Sequence, residues 1–416
     1  MKKVSFKSFF YALLMSGTVS LYSCSTDSNL MSASDKNIDQ QLAGRVEANV
    51  ITGKYIVVFK EDFAKTLNRG RLNASENREE NAKNFAALKA EAKTKVSEVL
   101  KGHKISETAI EDVYGNAVFG FAGKLSKEQA EVLRKDERVA YVEEDQIVTL
   151  AKPGSEGSMG TFAQSTPWGI TKIGGFVDMT GSSRWAWVID SGIDLDHPDL
   201  NVNTAYGRTF VGGTPDDANG HGTHVAGTIA AKNNTIGVVG VAAGATVVPV
   251  RVFGASGSSS NSVIISGIDY VTSVAKAGDV ANMSLGGGAS TATDDAVRRL
   301  AAKGVRVALA AGNESQNANN VSPARVNATN VWTVSAFDSS NRFASFSNYA
   351  NPPIDISAPG VSVYSCWLNG GYNTISGTSM ATPHVAGILL VNNGVLYTNG
   401  TVTGDRDTTP DPIVRR

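Results

Sequence analysis

Between residues 185 and 390, short and almost wholly apolar runs alternate with stretches of helical period, and this alternation restricts the fold more than any other feature. Trp185–Asp190, Thr246–Val252, Val280–Leu285 and Val305–Ala310 read as strands, and helices are predicted to start near His221, Ser262, Thr291 and Thr378. A strand that is apolar on both sides has no face to give to water. It belongs in a parallel sheet covered by helices on both faces, an α/β doubly wound architecture. Polar chemistry in such sheets gathers beyond the carboxyl ends of the strands, where Asp190 and Asn313 both fall.

One serine stands out against this frame. The small-residue turn Ser376-Gly377-Thr378 delivers Ser379 to the start of the apolar run Val385–Leu390. At a helix N-terminus the unpaired N–H groups and the positive end of the dipole favour an oxyanion. Pro383 is compatible with a helix there if it lies in the first turn. A serine nucleophile needs a base, a group to orient the base and donors for the oxyanion. His221, in Asn219-Gly220-His221-Gly222-Thr223-His224, supplies the base, Asp190 the orienting acid and Asn313, in Ala310-Ala311-Gly312-Asn313, the donor. Taken singly, each has a plain structural reading as a turn cap, a helix-opening histidine or an N-cap serine.

These four motifs, in the order Asp, His, Asn, Ser, resemble the subtilisin-like serine protease family, and most closely its proteinase K branch, from about Ala163 to Gly394. The resemblance implies an endopeptidase in which His221 takes the Ser379 proton, Asp190 holds the imidazole, and Asn313 with the Ser379 N–H stabilises the oxyanion. It also implies that a protein or peptide substrate lies as an added strand between Gly257-Ser258-Ser259 and Ser284-Leu285-Gly286. Ala310, Ala311 and Gly312 would border a roomy, mainly apolar pocket for the residue before the cut. The family's strong calcium site maps onto the Asp355 carboxylate and the carbonyls of Thr329 and Val331, oxygen donors that suit calcium. No organic cofactor is expected.

The first 150 residues are differently built, holding most of the lysines while most of the glycines follow them. Residues 1–24 read as an export signal. A basic start (Lys2, Lys3, Lys7) precedes the short apolar stretch Phe9–Leu21, and Leu21-Tyr22-Ser23-Cys24 resembles a bacterial lipobox with Cys24 as the lipidated residue. An ordinary secretory signal is the alternative. Residues 25–50 read as a flexible, polar tether. From 51 to 151 the order β-α-β-β-α-β is that of a small ferredoxin-like α+β domain, with a long helix over 75–101 and a last strand Val139–Asp145. It resembles the inhibitor-like propeptide of subtilisins, which implies that the enzyme's own propeptide inhibits it. Its end, Val142–Ala151, is expected to leave the domain extended and lie between the two substrate edges like a product, with the cut near Leu150 or Ala151.

Residues 152–162 read as an exposed processing linker, 163–398 as the catalytic domain, and 399–416 as a C-terminal tail, either loose or a final strand. A net charge of −1 excludes the electrostatic footprint of a nucleic-acid binder, so a lipid on Cys24 is the only membrane attachment expected. A monomer is expected. His221 and His224, three apart, lack the pattern of a zinc pair. His384, about 140° round the helix from Ser379, should face away from the chemistry, and Cys366 reads as a buried small hydrophobe. The competing function is an inactive member of the same fold serving as a surface-binding lipoprotein, but no catalytic candidate is missing from the chain.

Overall fold

The computed structural model describes residues 49–67, 77–150, 156–157 and 163–416, all within one compact unit. The signal, Cys24 and nearly all of the tether lie outside the described residues, as does most of the processing linker.

Near the N-terminus, β1 (Val50–Phe59), β2 (Ile110–Tyr114), β3 (Gly120–Lys124) and β4 (Val139–Thr149) make an antiparallel sheet in the order β4-β1-β3-β2. The helices α1 (Arg78–Gly102) and α2 (Lys127–Arg134) complete the expected β-α-β-β-α-β order. Both open on side-chain caps, Asn77 accepting from the Glu79 N–H and Ser126 forming a capping box with Gln129. The alternation of β1 explains how the sheet is covered on both sides. Tyr55, Val57 and Phe59 point into a core shared with α1 and α2, whereas Ile56 and Val58 join the core of the larger part of the chain.

That larger part is built on a ten-stranded sheet. Its central strands β5 (Ala186–Asp190), β6 (Thr246–Arg251), β8 (Val280–Met283), β9 (Arg306–Ala310), β10 (Val331–Phe337) and β11 (Ile354–Pro359) are all parallel, in the order β11-β10-β9-β8-β5-β6. The three-residue strand β7 (Ser258–Ser260) lies outside it. Helices α4 (Asn261–Val274) and α5 (Thr291–Ala302) cover one face, while α3 (His221–Ala230) and α6 (Thr378–Val391) cover the other. No helix among the described residues is long and apolar enough to cross a membrane.

Two details depart from the sequence reading. The C-terminal residues are a hairpin of β12 (Tyr397–Thr401) and β13 (Pro412–Arg415), so the expected boundary at 398/399 falls inside a strand. Strand β13 extends the sheet beside β11, buries Ile413 and Val414, and places the Arg416 N–H on the Ile173 carbonyl at 2.7 Å. Pro383 is the sixth residue of α6, beyond the first turn, yet the helix continues. The carbonyl that its missing N–H leaves free is that of Ser379, and it accepts the Ser284 hydroxyl at 2.8 Å instead.

Candidate active site

Asp190 is the last residue of β5 and His221 the first of α3, so the strand end and the helix start bring them together although 31 residues separate them. The entry to α3 requires glycine at 220. Its φ is +101°, and a Cβ there would lie 2.5 Å from the Trp367 ring. Asp217 fastens this turn by accepting from the N–H groups of Asn219, Gly220 and Thr223 and from the Thr223 hydroxyl. The sequence reading passes over that residue, although an aspartate just before a helix start is a recognisable capping signal.

His221 Nδ1 donates to Asp190, 2.8 Å from Oδ1 and 3.0 Å from Oδ2, and both side chains are buried. Burial by itself disfavours the imidazolium, but the Asp190 charge and hydrogen bond outweigh it and hold the His221 pKa above the ordinary histidine value. With Nδ1 fixed on the carboxylate, Nε2 is the free basic atom. It is buried and unpartnered among the described residues.

Ser379 is the second residue of α6, in the turn whose N–H groups have no intrahelical acceptors. Its hydroxyl donates to the Ser284 carbonyl at 3.1 Å, while the Ser284 hydroxyl donates to the Ser379 carbonyl. This reciprocal pair joins the helix start to the end of β8 and engages the hydroxyl of the nucleophile candidate. Asn313 meets the same helix start. Its Oδ1 accepts from the Thr378 N–H at 2.8 Å and from the Thr378 hydroxyl at 3.0 Å, which leaves the Nδ2 group as the donor that can serve another acceptor.

A segment of the chain itself already pairs with the first predicted edge. Strand β4 runs out of the N-terminal sheet and pairs antiparallel with β7, matching Ser258 with Thr149, Ser259 with Val148 and Ser260 with Ile147. The Leu150 N–H then donates to the Gly257 carbonyl at 2.8 Å. The predicted edge at 257–259 is therefore paired, one residue longer than expected. The second predicted edge, Ser284-Leu285-Gly286, makes no ladder with β4. Instead Val148 rests against Gly287, where a Cβ would lie 2.9 Å from Val148 Cγ2, and Leu285 shares its apolar core.

Ala310 and Ala311 are buried behind the site, and Gly312, at φ +101°, donates to the Thr378 hydroxyl. Asn348, unnoticed in the sequence, pins this segment by donating to the Ala311 carbonyl and the Glu314 carboxylate and accepting from the Glu314 and Gln316 N–H groups. Only the fold brings it there.

The remaining histidines stand apart from this chemistry. His224 donates to the Val363 carbonyl and His384 to the Met380 carbonyl, and burial lowers them to about 3 and about 4, so both are neutral. Cys366 is fully buried, and burial raises its thiol pKa. Among the described residues no cluster of three or more His, Cys, Asp or Glu side chains could hold a metal. Asp355 stands alone as a carboxylate, with one oxygen accepting from the Thr333 N–H at 2.8 Å. The residue reaches the surface, but the strands crowding its carboxyl push the pKa up to about 6.

The helix starts that flank β4 are held by its own acids. Asp145 accepts from the Ser262 N–H and hydroxyl at the start of α4, and Glu143 accepts from Ser290 Oγ and the Thr291 N–H at the start of α5.

Comparison with known proteins places both halves of the chain in described families. Residues 187–399 match the subtilase family and residues 54–151 the peptidase inhibitor I9 family. A subtilisin-like serine protease, AsES, from Sarocladium strictum is 39% identical over 77% of this chain and 86% of its own length. An extracellular serine proteinase from a Thermus species is 39% identical over 90% of this chain and 87% of its own, and subtilisin E of Bacillus subtilis is 39% identical over 88% and 86%. A cold-adapted subtilisin-like serine proteinase of known crystal structure aligns at a TM-score of 0.53 and 40% identity, covering 60% of this chain and 97% of its own.

Proposed function

The chain belongs to the subtilase family as a serine endopeptidase with an inhibitor propeptide, and from that premise we propose that it cuts peptide bonds through Asp190, His221 and Ser379. His221 Nε2 takes the Ser379 proton as the hydroxyl oxygen attacks the substrate carbonyl. The tetrahedral oxyanion is met by Asn313 Nδ2 and the Ser379 N–H. His221 then returns the proton to the leaving amine, which releases an acyl-enzyme that water hydrolyses by the same sequence. The observation that carries this reading is the buried His221 ring, bonded to Asp190 through Nδ1 and left with an unpartnered Nε2. The strand ending at Leu150 supports the product-like inhibition of the zymogen, with the cut at or just after that residue. Ser379→Ala is expected to abolish casein hydrolysis and fluorophosphonate labelling and to leave the precursor uncut. An active, processed Ser379→Ala protein would overturn the mechanism.

Export fits the basic-apolar start of the chain, and a relative bears the name extracellular serine proteinase. Lipid attachment at Cys24 rests on the residues around it alone. Wild type is expected to label with a palmitate analogue and Cys24→Ala is not; unlabelled wild type would favour the ordinary signal.

For calcium, the crowded Asp355 carboxylate has one oxygen on a backbone N–H, and no donor among the described residues engages the other. That pattern fits a cation held with the Thr329 and Val331 carbonyls. Calcium there would neutralise the carboxylate and tie the two chain segments together.

A further inference from the structure

Helix α1 is longer than its own domain needs. At 25 residues it spans about 37 Å. Leu88, Ala92, Val96, Val99 and Leu100 pack into the propeptide core, but the first two turns reach past it onto α4. There Phe85 meets the Tyr270 ring at 5.4 Å, and the Asn81 carbonyl accepts the Ser273 hydroxyl at 3.3 Å. Arg78, the first helical residue, goes furthest. Its guanidinium grips Asp279 with both arms, Nη1 to Oδ2 at 2.6 Å and Nη2 to Oδ1 at 2.9 Å. Nη2 also donates to the Ser183 carbonyl at 3.1 Å, and the guanidinium carbon lies 3.9 Å from the centre of the Trp185 ring. Arg78 is 7% exposed and Asp279 1%.

The receiving side is built independently of Arg78. Asp279 also accepts from the Trp185 N–H, the Trp187 indole and the Lys276 N–H, each at 3.0 Å. These three donors stay with the catalytic domain when the propeptide leaves, so the carboxylate keeps its place. The pocket matches a guanidinium in particular: a planar fork for the carboxylate, a flat aromatic face to stack on and one further carbonyl acceptor. It also lies far from the cleft. Asp279 precedes β8 beside the start of β5, whereas Asp190 ends β5, and five residues of strand separate the two edges by about 16 Å.

We propose that Asp279, the Trp185 ring and the Ser183 carbonyl form a guanidinium-binding site on the catalytic domain, which Arg78 fills to hold the propeptide in place after the cleft peptide has been cut. The cut severs the chain near Leu150 but touches nothing at Arg78. The product-like strand and the Arg78 fork are two grips on one rigid body, so loss of one leaves the other at high effective concentration. Cutting and release are therefore separate events, and the second sets when activity appears. This inference rests on reading the residues up to about 151 as the propeptide.

The test uses the full-length precursor. Cutting is followed on gels and activity with a chromogenic peptide in the same samples. Removing one partner of a buried, hydrogen-bonded charge pair speeds dissociation, typically by more than tenfold. Arg78→Ala should therefore cut within about twofold of the wild-type rate while the lag between cut and activity shortens by at least about tenfold. Arg78→Lys, which keeps the charge but loses the fork and the stacking, should fall between them. It decides the matter in the same assay should Arg78→Ala fail to fold. An unchanged lag in the variants overturns the anchor and leaves the propeptide reading standing. A wild-type precursor that is active without any cut overturns both.

Discussion

Asp411, which leads into β13, is a buried carboxylate with no cation beside it among the described residues, and replacing it by asparagine should remove a measurable pH dependence. It is 1% exposed. The Ser335 hydroxyl donates to its Oδ2, Asn351 Nδ2 donates to Oδ1 at 2.9 Å, and its own N–H is bonded to Asp405. Burial raises its pKa to about 6, with Asp405 and Asp407 adding repulsion and the Ser335 and Asn351 bonds opposing it. In the unfolded chain an aspartate titrates near 3.9. The folded pKa is the higher one, so between about pH 4 and 6 the folded state holds more protons, and stability falls as pH rises through that window. A difference of about two units corresponds to about 3 kcal/mol, fully expressed above pH 6. The substituted amide would keep an acceptor for Asn351 and turn a donor toward Ser335, without the charge. Urea unfolding of wild type and Asp411→Asn, both carrying Ser379→Ala to prevent self-digestion, should be compared at pH 4, 5, 6 and 7. The stability difference should move in favour of the asparagine by about 2 kcal/mol from pH 4 to pH 7. A difference constant to within about 1 kcal/mol across that range would refute the argument and the burial of the hairpin with it.

Because Asp190 raises the His221 pKa, and the ring must be neutral to act as a base, the acid limb of kcat/KM should have its midpoint above about pH 6.5. A midpoint at or below about 6 would contradict the pairing. Asn313→Ala should lower kcat by about 10²–10³ with KM little changed, the magnitude known for the oxyanion-hole asparagine of subtilisin; a loss confined to KM would assign Asn313 to binding. Calcium should raise the thermal midpoint and a chelator lower it, and Asp355→Ala should blunt that response; equal midpoints with and without calcium would remove the site.

The parts legible in the sequence are those whose physical cause is local. Apolar runs bounded by turn residues mark β5, β6, β8 and β9, and the starts of α3, α5 and α6 lie at the predicted residues because helix initiation depends on a few adjacent positions. The same holds for His221 after Gly220 and for Ser379 after Gly377, where the glycine and the helix start occupy one short segment. What only the tertiary structure decided depends on partners far apart in the chain. Arg78 and Asp279 are 201 residues apart, and nothing near either one distinguishes it from a solvated charge. By local rules Pro383 is admissible only in a first turn. It sits deeper because Ser284, 95 residues before Ser379, supplies the hydrogen bond that the proline removes from the helix. The final hairpin has so short a periodic stretch that its own residues cannot choose between a loose tail and a strand. The open edge of β11 makes that choice, by offering unpaired backbone groups and a surface on which Ile413 and Val414 can be buried. Local preferences act over a few residues, whereas burial and charge pairing act through space, and only the folded chain sets which distant groups share that space.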